Sequence, residues 1–387
     1  MNIAFCHGAF HLGGAERITL DIIQYLSTFD GQYNLYLFAP EFSRENFPSE
    51  ILEKFTWCQT SHKSKDKSAD VERLILEHHI DVLVEVVIHL QNLPQIKQRT
   101  GVKVVYANHG VPFWQKNIII KHLQSTPSKR LLWSIYGKLW WDILGNAQKA
   151  AVRRTRRSYQ ESDAYMVLCD AYKEQTCQTL GITPDASHIH VINNSERQVE
   201  HPNLHKENII LYCGRLSNHD KGVDRLLRIW KRIEDKLPSW RLQLVGDGPD
   251  CAALQALAQE LQLKRISFEG ATAAPQRYYD KASIVCLTSP EEGWGLAMTE
   301  GQAHGCICVS FECSAGVKEI LSPHGKNGFI VTPFDDEEYA NTLLHICNLP
   351  QAELHALRLN AIERCKNYAP EVILAKWRQL FEAVAKL

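Results

Sequence analysis

The sequence predicts an α/β protein of two domains, each built on a parallel, doubly wound sheet. Three observations support this fold class. The chain has 387 residues, which is too long for one ordinary core and suits two domains. Short apolar runs alternate along it with helical or polar segments. Apolar runs in both halves are followed by a glycine loop and then a helical segment, a unit typical of such sheets.

Composition excludes several classes of protein. The formal net charge of −1 gives no global attraction to nucleic acid or to an anionic membrane, so any such patch must be local. The twelve cysteines lack paired metal-ligand spacing, and several fall inside apolar runs, which fits reduced thiols in a cytosolic protein. The N-terminus lacks a signal-peptide pattern, and no run of about 18 apolar residues predicts a spanning helix. We therefore expect a cytoplasmic protein.

In the first half, apolar runs predict six strands. They lie at Asn2–Cys6, Tyr33–Phe38, Asp81–Val87, Val102–Ala107, Ala164–Leu168 and His188–Ile192. A loop follows the first strand, and Ala15–Leu26 is predicted to be a helix because its apolar residues recur at helical spacing. His109 lies just past the fourth strand, after Asn108, and Gly110 directly follows it. Ligands collect at the carboxyl ends of parallel strands, so we expect His109 to face a cleft.

Residues 114–157 differ in composition from the rest of the chain. Lysines and arginines far outnumber the single acid, Asp142, and tryptophans and aliphatic residues lie among them. This pattern suits a membrane interface, with Lys129, Arg130, Lys138, Trp140 and Trp141 as the expected contacts. It equally suits helices that pack their tryptophans inward and leave their cations in water. The sequence leaves both interpretations open.

The second half begins after a polar segment, Glu196–Glu207, that has the composition of a linker. The strand Ile209–Cys213 is followed by Gly214-Arg215-Leu216-Ser217, and Lys221-Gly222 then opens a helix. Basic residues are disfavoured near a helix start, so Arg215 and Lys221 favour an anion site there. The next strand, Arg241–Val245, ends in the turn Gly246-Asp247-Gly248-Pro249.

A further strand, glycine loop and helix lie within Ala282–Gly305. The strand ends at Leu287, Gly293 and Gly295 form the loop, and the helix begins at Leu296. Such a helix start is a ready anion site, and Glu292 and Glu300 lie in the same unit. The acidic run Asp335–Glu338 resembles a metal cluster, but acids also suit the positive end of a helix dipole, and we expect a helix start there.

The spacing of Glu292 and Glu300 resembles the E-x7-E signature of glycosyltransferase family 4, whose members are retaining enzymes of the GT-B fold. Gly214–Ser217 with Lys221-Gly222, the Gly246–Pro249 turn and Gly13–Glu16 resemble further motifs of that family. The resemblance implies two Rossmann-like domains facing a central cleft. We place an acceptor-side domain at 1–195, a linker at 196–207, a nucleotide-sugar domain at 208–369 and a helix at 370–387 that crosses back to the first domain.

The resemblance also implies roles for site residues. His109 and Glu292 are expected to act beside the transferred sugar as catalytic residues. The expected donor-binding residues are Gly13, Gly14, Arg215, Lys221, Gly246, Gly295, Leu296 and Glu300. No metal and no cofactor are expected, because Arg and Lys would stabilise the diphosphate leaving group instead.

By resemblance to bacterial polysaccharide-assembly enzymes, we expect transfer of a hexose from a nucleotide-diphosphate sugar, favouring UDP. The acceptor would be a saccharide or a lipid-linked saccharide, and no nucleic-acid partner is expected. If residues 114–157 bind membrane, the protein would lie on the cytoplasmic membrane face. The alternative functions are a non-catalytic sugar-nucleotide-binding protein or a GT-B epimerase.

Overall fold

The computed structural model describes residues 1–11, 13–44, 47–113 and 145–387. The chain divides into two compact units: unit 1 comprises Met1–Asn193 with Leu374–Leu387, and unit 2 comprises Asn194–Ile373. Each unit holds one parallel sheet. In the described part of the chain, no helix is both long enough and apolar enough to cross a bilayer. The membrane contacts expected at Lys129, Arg130, Lys138, Trp140 and Trp141 lie outside the described residues.

Unit 1 is built on a seven-stranded sheet of order β3-β2-β1-β4-β5-β6-β7. Its strands are β1 Asn2–Cys6, β2 Asn34–Ala39, β3 Thr56–Gln59, β4 Val82–Val86, β5 Lys103–Ala107, β6 Ala164–Val167 and β7 Ile189–Val191. Its helices are α1 Gly14–Leu26, α2 Ser49–Leu52, α3 Ser64–Glu77, α4 Leu93–Thr100, α5 Asn146–Glu161 and α6 Asp170–Leu180. The central strands are buried on both faces, which explains why they are continuous apolar runs in the sequence.

The edge strand β3 was not predicted from the sequence. Within the part of the chain that the structure describes, it pairs only with β2, and of its four residues only Cys58 is buried. An edge strand with one buried side chain carries no apolar run, and neither of the usual strand patterns marks it. The six strands predicted for this half are all present, with ends that differ by a residue or two.

Unit 2 contains a six-stranded sheet of order β10-β9-β8-β11-β12-β13. Its strands are β8 Glu207–Cys213, β9 Arg241–Val245, β10 Ile266–Phe268, β11 Ala282–Leu287, β12 Ile307–Phe311 and β13 Phe329–Val331. Its helices are α7 Asn218–Lys221, α8 Val223–Ile233, α9 Cys251–Glu260, α10 Gln276–Tyr279, α11 Leu296–Ala303, α12 Ala315–Leu321, α13 Asp336–Cys347 and α14 Gln351–Cys365. Its core joins the apolar face of α8, including the buried Trp230, to the middle strands.

The last helix, α15, spans Pro370–Val384, and from Leu374 onward it belongs to unit 1. The side chains of Trp377 and Phe381, one turn apart, are buried there. Phe381 packs edge-on against Phe5 of β1 with 6.1 Å between ring centroids, and Tyr33 Oη donates to Glu382 Oε1 at 2.7 Å. A helical stripe of apolar residues therefore attaches the C-terminus to the first sheet.

The predicted linker, Glu196–Glu207, begins with a buried residue of unit 2, and Ser195 before it is buried as well. Ser195 and Glu196 are 1% and 4% exposed. The Glu196 carboxylate accepts a hydrogen bond from Thr299 Oγ1 at 3.0 Å, and its backbone amide donates to Tyr368 O at 2.7 Å. A charged residue can be buried when its hydrogen bonds are satisfied, so polar composition alone did not indicate exposure here.

Candidate functional site

The strand order of unit 2 reverses between β8 and β11. In open parallel sheets, the loops that follow the strands at such a switch point flank the ligand crevice. Here they are the loop 214–222 after β8 and the loop 288–295 after β11. The two loops bring together Lys221 and Glu292, which are far apart in the sequence.

Lys221 and Glu292 form an ion pair across the two loops. Nζ lies 2.7 Å from Oε1, and the side chains are 26% and 13% exposed. Glu292 Oε1 also accepts a hydrogen bond from Ser289 Oγ at 2.6 Å. The carboxylate thus contacts a cation and a buried hydroxyl, and the side chains of Lys221 and Glu292 remain partly exposed.

Gly222 allows the two loops to touch. Its φ is +59°, and a Cβ at this position would overlap the backbone carbonyl of Thr288. The Thr288 hydroxyl donates to Gly222 O at 2.9 Å, which ties the loops together on the C-terminal side of Lys221. The position of the ammonium group therefore depends on a contact that only glycine permits.

Arg215 lies on the same loop and is the more accessible of the two cations, with a side chain that is 59% exposed. Its Nη2 lies 3.0 Å from Asp220 Oδ2, which orients the guanidinium without covering it. A hydrogen bond also holds the backbone of Arg215, because Tyr212 Oη donates to its carbonyl oxygen at 2.8 Å. A bound anion could therefore engage the exposed guanidinium fork.

Gly246 supports this loop through backbone packing. Its φ is +132°, and a Cβ would overlap the carbonyl oxygen of Gly214. The neighbouring turn and loop exchange backbone hydrogen bonds, with Gly214 N donating to Val245 O and Leu216 N donating to Asp247 O, both at 2.9 Å. The structure thus supplies a packing reason for Gly246, which the sequence marked for contact with the donor.

Gly295 and Leu296 lie at the start of α11, with Gly295 as the residue before the helix at φ +92°. Glu300 lies one turn further along this helix. Its Oε2 accepts a hydrogen bond from Tyr279 Oη at 2.6 Å, and Tyr279 is 1% exposed. Burial and the nearby Glu300 carboxylate raise the pKa of Tyr279, so its hydroxyl remains a proton donor at neutral pH.

Sequence reasoning missed both Ser289 and Tyr279 as site residues. Ser289 could be read only as a turn former at a strand end, although it lies three residues before the acid it contacts. Tyr279 lies 21 residues before its partner, and no motif marks it. Only the three-dimensional contacts identify these two residues.

In unit 1, His109 follows β5 and is half-buried, and its ring stacks on Trp377 of α15 with 6.4 Å between centroids. His7 follows β1 and hydrogen-bonds through Nε2 to Thr19 Oγ1 at 3.0 Å. Burial, aided by the nearby His109, lowers the pKa of His7 to about 3, so His7 is neutral at physiological pH. Gly13 precedes α1 and Gly14 begins it, so both glycines lie at the N-terminus of that helix.

The acidic run Asp335–Glu338 is a helix start, as the sequence predicted. Asp335 precedes α13, and its Oδ1 accepts hydrogen bonds from the backbone amides of Glu337 and Glu338 at 3.1 and 2.9 Å. Among the described residues, no group of three or more His, Cys, Asp or Glu side chains is arranged to hold a metal ion.

Comparisons with known proteins connect this site to a family. Residues 207–348 match the family described as "Glycosyl transferases group 1". An uncharacterized glycosyltransferase of Haemophilus influenzae is 34% identical over 170 residues, or 44% of this chain, which thus spans about half (47%) of that relative. A Campylobacter jejuni protein is 22% identical over 395 residues, 99% of both chains, and is named as an α-1,4-N-acetyl-D-galactosaminyltransferase acting on a saccharide linked to PP-undecaprenol.

Among solved structures, Anabaena HepE in complex with UDP-glucose superposes with a TM-score of 0.74 at 16% identity, covering 99% of this chain and 100% of that one. At this identity the likeness concerns the fold, which is GT-B, and it confirms the two Rossmann-like domains expected from the sequence. The chain therefore has the GT-B fold, and residues 207–348 within it are similar to the glycosyl transferases group 1 domain.

Proposed function

We propose that the protein is a retaining glycosyltransferase of family 4 that moves a hexose from a UDP-sugar to a saccharide or lipid-linked acceptor. The observation that carries this proposal is the pairing of Lys221 with Glu292 at 2.7 Å at the switch point, beside the exposed Arg215. Two cations at this position suit a diphosphate, and the acid beside them suits a sugar. The solved Anabaena neighbour, which was crystallised with UDP-glucose, supports the choice of donor.

The chemistry follows from the charges. As the glycosidic bond to the donor breaks, the nucleoside diphosphate gains negative charge. Lys221 and Arg215 stabilise that charge more strongly in the transition state than in the bound donor, which is the condition for catalysis. Lys221 pairs with Glu292 at 2.7 Å, so we expect the diphosphate to share or displace this carboxylate. Glu292 then positions the sugar or stabilises its developing positive charge.

The remaining site residues take supporting roles in this proposal. Glu300 accepts hydrogen bonds from the ribose hydroxyls, a task that suits a carboxylate with two acceptor oxygens. Gly295 and Leu296 present the N-terminus of α11 to the donor, and Gly13 and Gly14 approach its diphosphate. Gly246 lies toward the nucleotide, in addition to its packing role. His109 contacts the transferred sugar or the acceptor.

A donor screen tests the proposal. The purified protein is incubated with UDP-, GDP- and ADP-sugars, and binding is followed by thermal shift. We expect stabilisation by UDP-sugars and, with a membrane extract as the source of acceptor, transfer of the radiolabelled sugar with the anomeric configuration of the donor. An intact donor despite tight binding would indicate a sensor, an isomerised donor sugar would indicate an epimerase, and an inverted product would contradict retention.

We also propose that transfer needs no metal ion, because arginine and lysine replace it at the diphosphate. Transfer rates should be unchanged after treatment with EDTA. Loss of activity with EDTA, restored by Mg²⁺ or Mn²⁺, would contradict this part of the proposal.

A lipid-linked acceptor would require contact with a membrane surface, and the Campylobacter relative is named for an acceptor on PP-undecaprenol. Helix α5 contains the last part of the basic segment 114–157, and its buried and exposed faces differ in composition. Ala147, Ala151, Thr155 and Ser158 face the interior, whereas Lys149, Arg153, Arg154, Arg156 and Arg157 are exposed. We propose that this basic face and the preceding residues contact anionic lipids on the cytoplasmic membrane face.

Sedimentation with anionic vesicles tests the membrane proposal. Each cation near an anionic leaflet is worth about 1 kcal/mol, so we expect binding at low salt that is lost at high salt. Replacing Lys149, Arg153 and Arg156 with glutamine should weaken binding. A matched triple replacement of Arg228, Lys231 and Arg232, exposed on α8, should not. Protein remaining in the supernatant at low salt would favour inward-packed helices and a soluble acceptor.

A further inference from the structure

Tyr279 is buried beside the site and is directed at one of its acids. Its hydroxyl donates to Glu300 Oε2 at 2.6 Å, a short hydrogen bond to a charged acceptor. Glu300 itself is only partly buried on α11. A buried hydroxyl thus contacts a partly buried carboxylate on the helix that follows β11.

Contacts on several sides hold Tyr279 in this position. Its ring stacks on His304 with 5.7 Å between centroids and 24° between planes. Its carbonyl oxygen accepts a hydrogen bond from Lys206 Nζ at 2.9 Å and a weaker one from Cys306 Sγ at 3.1 Å. Lys206 Nζ also donates to His304 O at 2.7 Å, which ties the ends of α10 and α11 together. These contacts hold the backbone of Tyr279 and pack its ring against His304, while its hydroxyl donates to Glu300.

We propose that Tyr279 is a positioning residue that holds the Glu300 carboxylate ready to accept the two ribose hydroxyls of the donor nucleotide. This inference rests on the proposed function, because it assumes that Glu300 binds the ribose. A carboxylate has about four acceptor sites, and the bond from Tyr279 uses one of them. Holding the side chain in one rotamer before binding removes an ordering cost that the nucleotide would otherwise meet.

The test compares UDP with 2′,3′-dideoxy-UDP by calorimetry in the wild type and in Tyr279→Phe. The wild type should bind UDP more tightly than the dideoxy analogue. In Tyr279→Phe, UDP should bind about three- to tenfold more weakly, the scale for losing one pre-ordered side chain, while binding of the dideoxy analogue stays within about twofold. The preference for ribose therefore shrinks, which a purely structural role of Tyr279 would not produce.

Two tyrosines provide matched controls. Tyr339 is equally buried and donates to Val309 O at 2.7 Å, so Tyr339→Phe measures the general cost of deleting a buried tyrosine hydroxyl in unit 2. Tyr278→Phe makes the same change one residue away, where the hydroxyl accepts from Arg277. Both controls should keep the wild-type preference for ribose. A double variant with Glu300→Ala should show no further loss from Tyr279→Phe, because Tyr279 acts through Glu300.

The outcomes separate this inference from the proposed function. If the wild type prefers UDP and Tyr279→Phe keeps the full preference, the positioning role is wrong while the proposed function stands. The inference is also wrong if both nucleotides weaken equally, or if Tyr279→Phe loses affinity in the Glu300→Ala background. A wild type that binds neither nucleotide, or both equally, overturns the ribose role of Glu300 and this inference with it.

Discussion

Removing the ammonium of Lys221 should separate catalysis from stability. Lys221→Met keeps most of the aliphatic stem and deletes the charge that lies 2.7 Å from Glu292 Oε1. Loss of one preorganised charge contact to a transition state costs about 3–4 kcal/mol, which corresponds to about a hundred- to a thousandfold in kcat/KM. Arg215→Ala should cause a loss of about a hundredfold, because Arg215 is more exposed but serves the same anion.

The effect on folding should be much smaller. The ion pair is partly open to solvent, and such pairs contribute about 1 kcal/mol or less to the free energy of unfolding. The corresponding shift in Tm is about 2–4 °C for a domain of this size. Activity should therefore fall by orders of magnitude in a protein that melts almost normally.

The assay measures initial rates of radiolabelled sugar transfer at low donor concentration, together with thermal unfolding. Lys366→Met is the matched control, because Lys366 pairs with Glu363 at 2.6 Å but both side chains are largely exposed, at 60% and 73%. Lys366→Met should change neither the rate of sugar transfer nor the Tm appreciably. If Lys221→Met retains activity within about threefold, less than the loss of one charge contact allows, or if it fails to fold, the assignment of Lys221 to the diphosphate is wrong.

Three further predictions concern the surroundings of the site. Ser289→Ala removes the hydroxyl that donates to Glu292, and it should lower kcat/KM about tenfold with little change in Tm. An unchanged kcat/KM would contradict the role of Ser289 in holding the Glu292 carboxylate. Gly246→Ala should destabilise unit 2 by at least about 2 kcal/mol in urea unfolding, because the positive φ of Gly246 and its contact with Gly214 O exclude a Cβ. Wild-type stability of this variant would contradict the close contact between Gly246 and Gly214 O. The pKa of His7 is about 3 in the folded protein, below its value in the unfolded chain. The contribution of His7 to the free energy of unfolding is therefore fully present above about pH 6.5, and the free energy of unfolding should fall by about 2–3 kcal/mol on acidification to pH 4.5. In His7→Gln this part of the pH dependence of urea unfolding should disappear, and an unchanged slope would count against a buried neutral imidazole.

The sequence predicted the fold well because its central strands are buried on both faces and therefore appear as apolar runs. It could not predict β3, whose single buried side chain leaves no such run. The C-terminal ends of β8 and β11 were predicted because the apolar runs stop there. Glycines and charged residues just beyond these ends indicated Lys221 and Glu292 as site residues. Their mutual contact was not predicted, since 71 residues separate the two.

The supporting residues of the site were harder to predict for a physical reason. Ser289 and Tyr279 act through single hydrogen bonds whose geometry depends on backbone turns elsewhere, and their residue types are common in strands and loops. The polar segment at Glu196 gave no sign that its first carboxylate is buried and accepts a hydrogen bond from Thr299. Patterns of residue type report burial and turns, but they do not report which hydrogen-bond donor meets which acceptor.

The contact between the 214–222 loop and the Gly246 turn has a consequence for engineering this chain. Val245 and Asp247 each receive a backbone hydrogen bond from the loop, and no side chain could be added at Gly246. The loop that carries Arg215 and Lys221 therefore packs as one unit with the Gly246 turn, which lies about 30 residues later in the sequence. A chimaera that exchanges the loop alone would place foreign residues against an unmatched turn. Donor preference should consequently be transplanted with both segments exchanged at once.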